Sequence, residues 1–170
     1  MTQSSTITLD APRFETSPAK LIAGFRESYA FSAQDFKQGI PAQWQRLGPM
    51  IGRVPGQIDA VAYGVCFDMF GDKASFDYVA GVEVASTTAL PKGFSHLQIP
   101  ALTWAVFPHR LHASRFNETM DAIMSDWLPR SGCEIAHGPG APDLLERYGE
   151  AFDPQTGMGG MELWLPVRRT

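Results

Sequence analysis

The stretch Ser114-Arg115-Phe116-Asn117-Glu118-Thr119-Met120-Asp121-Ala122-Ile123-Met124-Ser125-Asp126-Trp127-Leu128 sets the architecture of the chain. Phe116, Met120, Ile123, Met124, Trp127 and Leu128 fall at i, i+4, i+7, i+8, i+11 and i+12, which is one face of a helix. Asn117, Glu118, Asp121, Ser125 and Asp126 fill the opposite face. Ser114 or Asn117 is the expected N-cap, and Pro129 and Gly132 stop the helix. On either side the pattern changes to that of strands. Phe94 to Arg110 is extended, and Pro100 breaks it as an edge or a bulge would. Cys133–His137 is a short strand, 138–142 is Gly/Pro-rich, Leu144–Phe152 is extended, and Met158–Val167 is the last strand.

The first half shows the same order. Lys20 to Phe31 reads as a strand and is the first one expected. Ser32 is the expected cap of a helix striped by Phe36, Ile40, Trp44 and Leu47. Gly39 and Pro41 interrupt that stripe, so the helix is expected to be kinked or to begin near Pro41. Ala60–Phe67 and Phe76–Val84 follow as an antiparallel pair. The chain thus reads strand–helix–strand–strand twice, an α+β fold in which each repeat lays a helix on an antiparallel sheet. Repeat one spans about 19–84 and repeat two about 94–168. They form a single domain over 13–170 behind a flexible N-terminus at 1–12.

The chain has 170 residues, 44% of them apolar and 19% charged, enough to build a core. The net charge of −4, with no basic cluster beyond Arg168-Arg169, disfavours a phosphate backbone as partner, so direct nucleic-acid binding is not expected. No signal peptide and no membrane-spanning run is visible, and Cys66 and Cys133 read as buried free thiols. A reducing cytoplasm is the expected location. His109 and His112 sit at a strand end without a completing Cys or carboxylate, so no metal is expected. No Ser/His/Asp order, nucleophile elbow or phosphate loop appears. No cofactor is implied.

The segment Met161-Glu162-Leu163-Trp164-Leu165-Pro166-Val167 places Glu162 and Trp164 on one strand face and Met161, Leu163 and Leu165 on the other. Glu162 is then either a solvated outer carboxylate or the floor of a pocket for a cationic or aromatic ligand. In a pocket, a cation would supply the partner that a buried carboxylate needs. For Trp104, Trp164, Tyr78 and Tyr148 the alternative is core packing. Tyr78 shares a face with the small Ala80 and with Val82, which fits either a groove or a closely packed helix. Trp44 and Trp127 lie on helix stripes and are assigned to the core. Glu83 ends its segment beside a polar loop and reads as exposed.

Several segments, in this order, resemble the GyrI-like small-molecule-binding domain, the effector-binding module of many AraC-type and MerR-type regulators. They are Tyr63-Gly64-Val65, Phe76 to Val84, Ile99-Pro100-Ala101, Trp104 to Arg110, Asp126 to Gly132 and Glu162 to Val167. The resemblance runs from about Ala19 to Arg168. It implies two pseudo-symmetric repeats with a ligand groove between them. It also implies that a last-strand glutamate, by position Glu162, meets cationic aromatic ligands with Trp164 as one ring. Trp104 stands where the family often has Tyr, and Glu146 and Tyr148 match a Glu-x-Tyr pair bordering the pocket. With a first strand near residue 20, no room remains for a preceding helix-turn-helix, so a stand-alone member is expected. Its leading function is binding or sequestering small cationic or amphipathic aromatic molecules. The alternatives are hydrolysis of an electrophilic, cyclopropanoid compound with Glu162, its carboxyl lifted by an apolar pocket, as general base and Glu146 as a second carboxylate, or docking of a protein partner such as a gyrase. The oligomeric state is left open.

Overall fold

A computed structural model describes residues 7–70 and 73–170. Part of the expected N-terminal tail, residues 1–6, lies outside the described residues. The elements are β1 (Arg13–Ser17), β2 (Lys20–Ala30), α1 (Phe36–Leu47), β3 (Gln57–Phe67), β4 (Ser75–Val84), β5 (Ser95–Ile99), β6 (Leu102–His109), α2 (Phe116–Ala122), α3 (Leu128–Arg130), β7 (Cys133–Ile135), β8 (Leu144–Tyr148) and β9 (Met161–Arg169). A π-helical segment, Ile123–Trp127, joins α2 to α3 and makes one long second helix.

All strand pairs are antiparallel, in the order β1-β6-β9-β8-β3-β4-β2-β5, with β7 added beside the end of β9. Repeat one contributes β2–α1–β3–β4, and repeat two contributes β6, the second helix, β8 and β9. The middle strands of the two repeats, β3 and β8, are hydrogen-bonded neighbours at the centre of the sheet. β1 precedes repeat one but pairs with β6 of repeat two; β5, at the start of the 94–168 repeat, pairs with β2 of repeat one. This exchange ties the halves into one sheet.

The strand β1 was not expected, since the first strand was placed near residue 20. Its five residues, Arg13-Phe14-Glu15-Thr16-Ser17, carry too little apolar pattern to announce a strand, and the pairing comes from the distant β6. Pro100 does more than bulge a strand: it ends β5, and β6 then pairs at the far side of the sheet order. The helix α1 runs unbroken from Phe36 through Pro41. Gly39 is there for packing, because a Cβ on it would stand 2.3 Å from the Tyr29 ring. The second helix opens with a 3-10 turn, Ala113–Arg115, capped by His112 rather than by Ser114 or Asn117; the Ser114 amide donates to His112 Nδ1 at 3.1 Å.

Both sheet faces are buried. The helices cover one, where Phe25, Tyr29, Phe76, Tyr78, Phe107 and Leu163 meet α1 and α2. The other carries Ile22, Tyr63, Val79, Ile99, Trp104 and Trp164 in one cluster drawn from both repeats, with no helix over it among the described residues. Such a cluster is buried only if the sheet curls toward that side, as a half-barrel does. No helix among the described residues is long and apolar enough to cross a membrane.

Candidate functional site

Strand alternation divides the expected site residues between the two faces of the sheet. Glu162 and Trp164 of β9 and Trp104 of β6 lie inside the curl, whereas Tyr78 of β4 and Glu146 and Tyr148 of β8 lie under the helices.

Inside the curl, the Glu162 carboxylate accepts from Arg13 Nη1 at 2.6 Å and from Trp164 Nε1 at 3.2 Å, and Arg147 Nη1 stands at 3.5 Å. Burial pushes its carboxyl up, but the hydrogen bonds from Arg13 and Trp164 and the two guanidinium charges prevail and hold it below the ordinary carboxylate range. This corrects the expectation of a Glu162 carboxyl lifted by an apolar pocket. Trp104 is 1% exposed and packs edge-to-face with Trp164 at 5.8 Å. Both indoles are buried in the cluster inside the curl, and Glu162 stands beside Trp164 on that same face.

Under the helices the geometry converges on Glu146. The Tyr78 hydroxyl donates to Glu146 Oε1 at 2.6 Å, the Tyr148 hydroxyl donates to the same oxygen at 3.1 Å, and Trp44 Nε1 of α1 donates to the Tyr78 oxygen at 2.9 Å. Tyr148 meets Trp44 at 4.8 Å, Phe152 at 4.9 Å and Phe116 of α2 at 5.6 Å, each edge-to-face. Residues of both repeats therefore surround one carboxylate at the β3–β8 seam. Trp44, assigned to the core from its helix stripe, is part of this site.

Gly64 makes the arrangement possible. It lies directly opposite Glu146 in the β3–β8 register, and a Cβ on it would fall 2.2 Å from the Tyr78 hydroxyl and 2.5 Å from Glu146 Oε1. A glycine inside a strand of β-formers marks such a close approach, and this was the signal available in the sequence.

Glu146 joins none of the ion pairs among the described residues. Burial pushes its carboxyl up to about 7, and the two tyrosine hydrogen bonds only partly oppose this. Burial, and then the Glu146 charge, raises the Tyr78 and Tyr148 phenols well above their ordinary value, so both remain hydroxyl donors at neutral pH. Burial likewise raises the Cys66 thiol, leaving it unreactive as a nucleophile. His109 is held within the fold: its Nδ1 is 2.7 Å from Thr119 Oγ1, its Nε2 is 2.9 Å from the His112 carbonyl, and its ring stacks on Phe116 at 4.2 Å.

The two halves of this α+β fold thus meet at one ring-lined carboxylate. Residues 10–168 match the GyrI-like small molecule binding domain, and the chain belongs to that family. It is 31% identical over 125 residues to the transcriptional regulator BrlR of Pseudomonas aeruginosa; that match takes in 73% of this chain and 44% of BrlR, so the chain spans less than half of that relative. Among solved structures, SAV2435 bound to tetraphenylphosphonium superimposes with a TM-score of 0.71 at 16% identity, covering 92% of this chain and 93% of that one. The EcmrR C-terminal domain gives 0.65 at 15% identity, covering 96% and 100%. At these identities the superpositions establish the fold.

Proposed function

We propose that residues 13–170 act as one binding unit that captures small cationic or amphipathic aromatic molecules at Glu146, between α1 and α2. The observation that carries this reading is the Glu146 carboxylate, which is part-buried among rings, holds two tyrosine hydrogen bonds and joins no ion pair among the described residues. A ligand cation would supply that charge, and Trp44, Tyr148 and Phe116 would add ring contacts worth about 1–2 kcal/mol each when desolvated. The phosphonium ligand named for SAV2435 is a cation of this type.

The test is calorimetric titration with tetraphenylphosphonium. Saturable one-to-one binding is expected, weakened at least about tenfold in Glu146→Gln, the cost of losing one member of a desolvated charge pair. Glu162→Gln should leave the affinity unchanged, because Glu162 lies on the opposite sheet face. The converse result, with Glu162→Gln weakened and Glu146→Gln unaffected, would refute the assignment.

A second reading rests on the raised Glu146 carboxyl. A carboxylate that titrates near neutrality is suited to take a proton from water attacking an electrophilic ligand. Incubation with cyclopropanoid compounds, followed by mass spectrometry, separates turnover from capture: a water adduct formed by the parent and absent with Glu146→Gln supports hydrolysis, and unchanged compound counts against it.

A further inference from the structure

Beyond Arg130, where the second helix ends, β7, β9 and the β1–β6 edge border an open cleft. Phe14 and Thr103 from the β1–β6 edge face Val167, Arg169 and Cys133 from β9 and β7 across an open cleft of about 390 Å³. That volume lies in the range of small-molecule sites. The Phe14 ring is 48% exposed, and its other side leans on Trp127 at a centroid distance of 6.3 Å. The Arg169 guanidinium stands 5.9 Å from the Phe14 ring centre. Arg168, at the same cleft, is occupied by Glu134 at 2.6 Å, but Arg169 joins none of the ion pairs among the described residues. At this cleft an exposed ring and a guanidinium outside the ion pairs of the described residues therefore stand together. Singly exposed aromatics are common and carry no meaning; an aromatic paired with a free arginine over a concave surface has a definite complement.

We infer that this cleft is a second binding site, for small organic anions bearing an aromatic ring, with the carboxylate, sulfonate or phosphate on Arg169 and the ring on Phe14. Its charge preference is opposite to that proposed for Glu146, and it does not depend on that reading. The guanidinium offers a planar fork to a two-oxygen anion, and Phe14 offers the exposed part of its ring. The Thr103 hydroxyl lies at the rim and is a further donor there. Cys133, half-buried in the wall, serves as a reporter, since the second thiol, Cys66, is buried.

The probe is 8-anilino-1-naphthalenesulfonate, followed by its fluorescence on the full chain. Saturable one-to-one enhancement is expected. Arg169→Gln should weaken it about tenfold, the loss of one charge-assisted contact, and Phe14→Ser should weaken it comparably. Both positions are exposed, and unchanged melting would show that the variants fold. Glu146→Gln should bind the probe as the parent does, and excess tetraphenylphosphonium should not displace it. Saturating probe should also slow alkylation of Cys133 by iodoacetamide. The inference is overturned by absence of saturable binding, by equal affinity in Arg169→Gln and the parent, by displacement with the phosphonium, or by undiminished alkylation of Cys133.

Discussion

Affinity for tetraphenylphosphonium is expected to fall about tenfold for each pH unit below 7, and so by about a hundredfold between pH 8 and pH 5. The reason is the Glu146 carboxyl, which burial lifts to about 7. A cation binds the ionised form, and protons compete for the same oxygen, so the observed constant follows the ionised fraction. Tyr78 and Tyr148, the hydroxyls in contact with Glu146, are pushed further up and stay protonated throughout. Glu162 cannot generate the profile, because its carboxyl is held low and it lies on the other face. The same shift acts on the free protein with a definite sign. The folded state holds its proton more tightly than the unfolded chain, so this group's contribution to stability is greatest below the unfolded carboxyl range and is lost as pH rises through about 7. Because Glu146 is only part-buried, that loss is discounted to about 1–2 kcal/mol. Glu146→Gln should therefore melt higher than the parent at pH 8, lose the pH dependence of binding, and bind the cation weakly at every pH. Calorimetric titration at half-unit steps, with matched melting curves, checks all three. An affinity in the parent that stays flat from pH 8 to pH 5 would remove Glu146 from the site.

The repeat order was legible in the sequence because each element carried its own period. The Phe116–Leu128 stripe has one orientation that buries it, and β2, β3 and β4 are runs of β-formers bounded by turn residues. The exchange of β1 and β5 between the halves was not legible, because no local pattern records which distant strand a short segment will join. Alternation correctly placed Glu162 beside Trp164, but β9 is apolar on both faces, and Trp164 looks as much like a pocket ring as Leu163 looks like core. Which face meets the helices is decided by the curl of the whole sheet. Glu146 and Tyr148 were visible as a pair and Tyr78 as a ring; Trp44 was hidden because its helix stripe explains it fully without the indole N–H. The one local clue to their meeting was Gly64, a residue with no reason to interrupt a strand that continues through Val65 and Cys66.

That clue yields the largest stability effect. At an ordinary strand position, replacing glycine by alanine stabilises by about 0.5–1 kcal/mol, since glycine loses more chain entropy on folding. At Gly64 the sign should reverse. The added Cβ would stand 2.2 Å from the Tyr78 hydroxyl, 2.8 Å from Tyr78 Cζ and 2.5 Å from Glu146 Oε1. Neither neighbour can retreat cheaply: Tyr78 is held by Trp44 and is 1% exposed, and Glu146 is fixed by Tyr78 and Tyr148. Gly64→Ala is therefore expected to cost about 2–3 kcal/mol, the upper range for overpacking a well-filled core. For a chain of this length that lowers the melting temperature by about 4–12 °C. Cation binding should be lost with it, because the carboxylate and the phenol are forced off the seam together. Tyr78→Phe distinguishes this mechanism from general strand damage. It removes the atom nearest the new Cβ, so the double variant should recover part of the stability lost in Gly64→Ala, a coupling that contacting residues show and distant ones do not. Purely additive losses, or a Gly64→Ala protein that melts at or above the parent, would mean that Gly64 does not hold Glu146 in place.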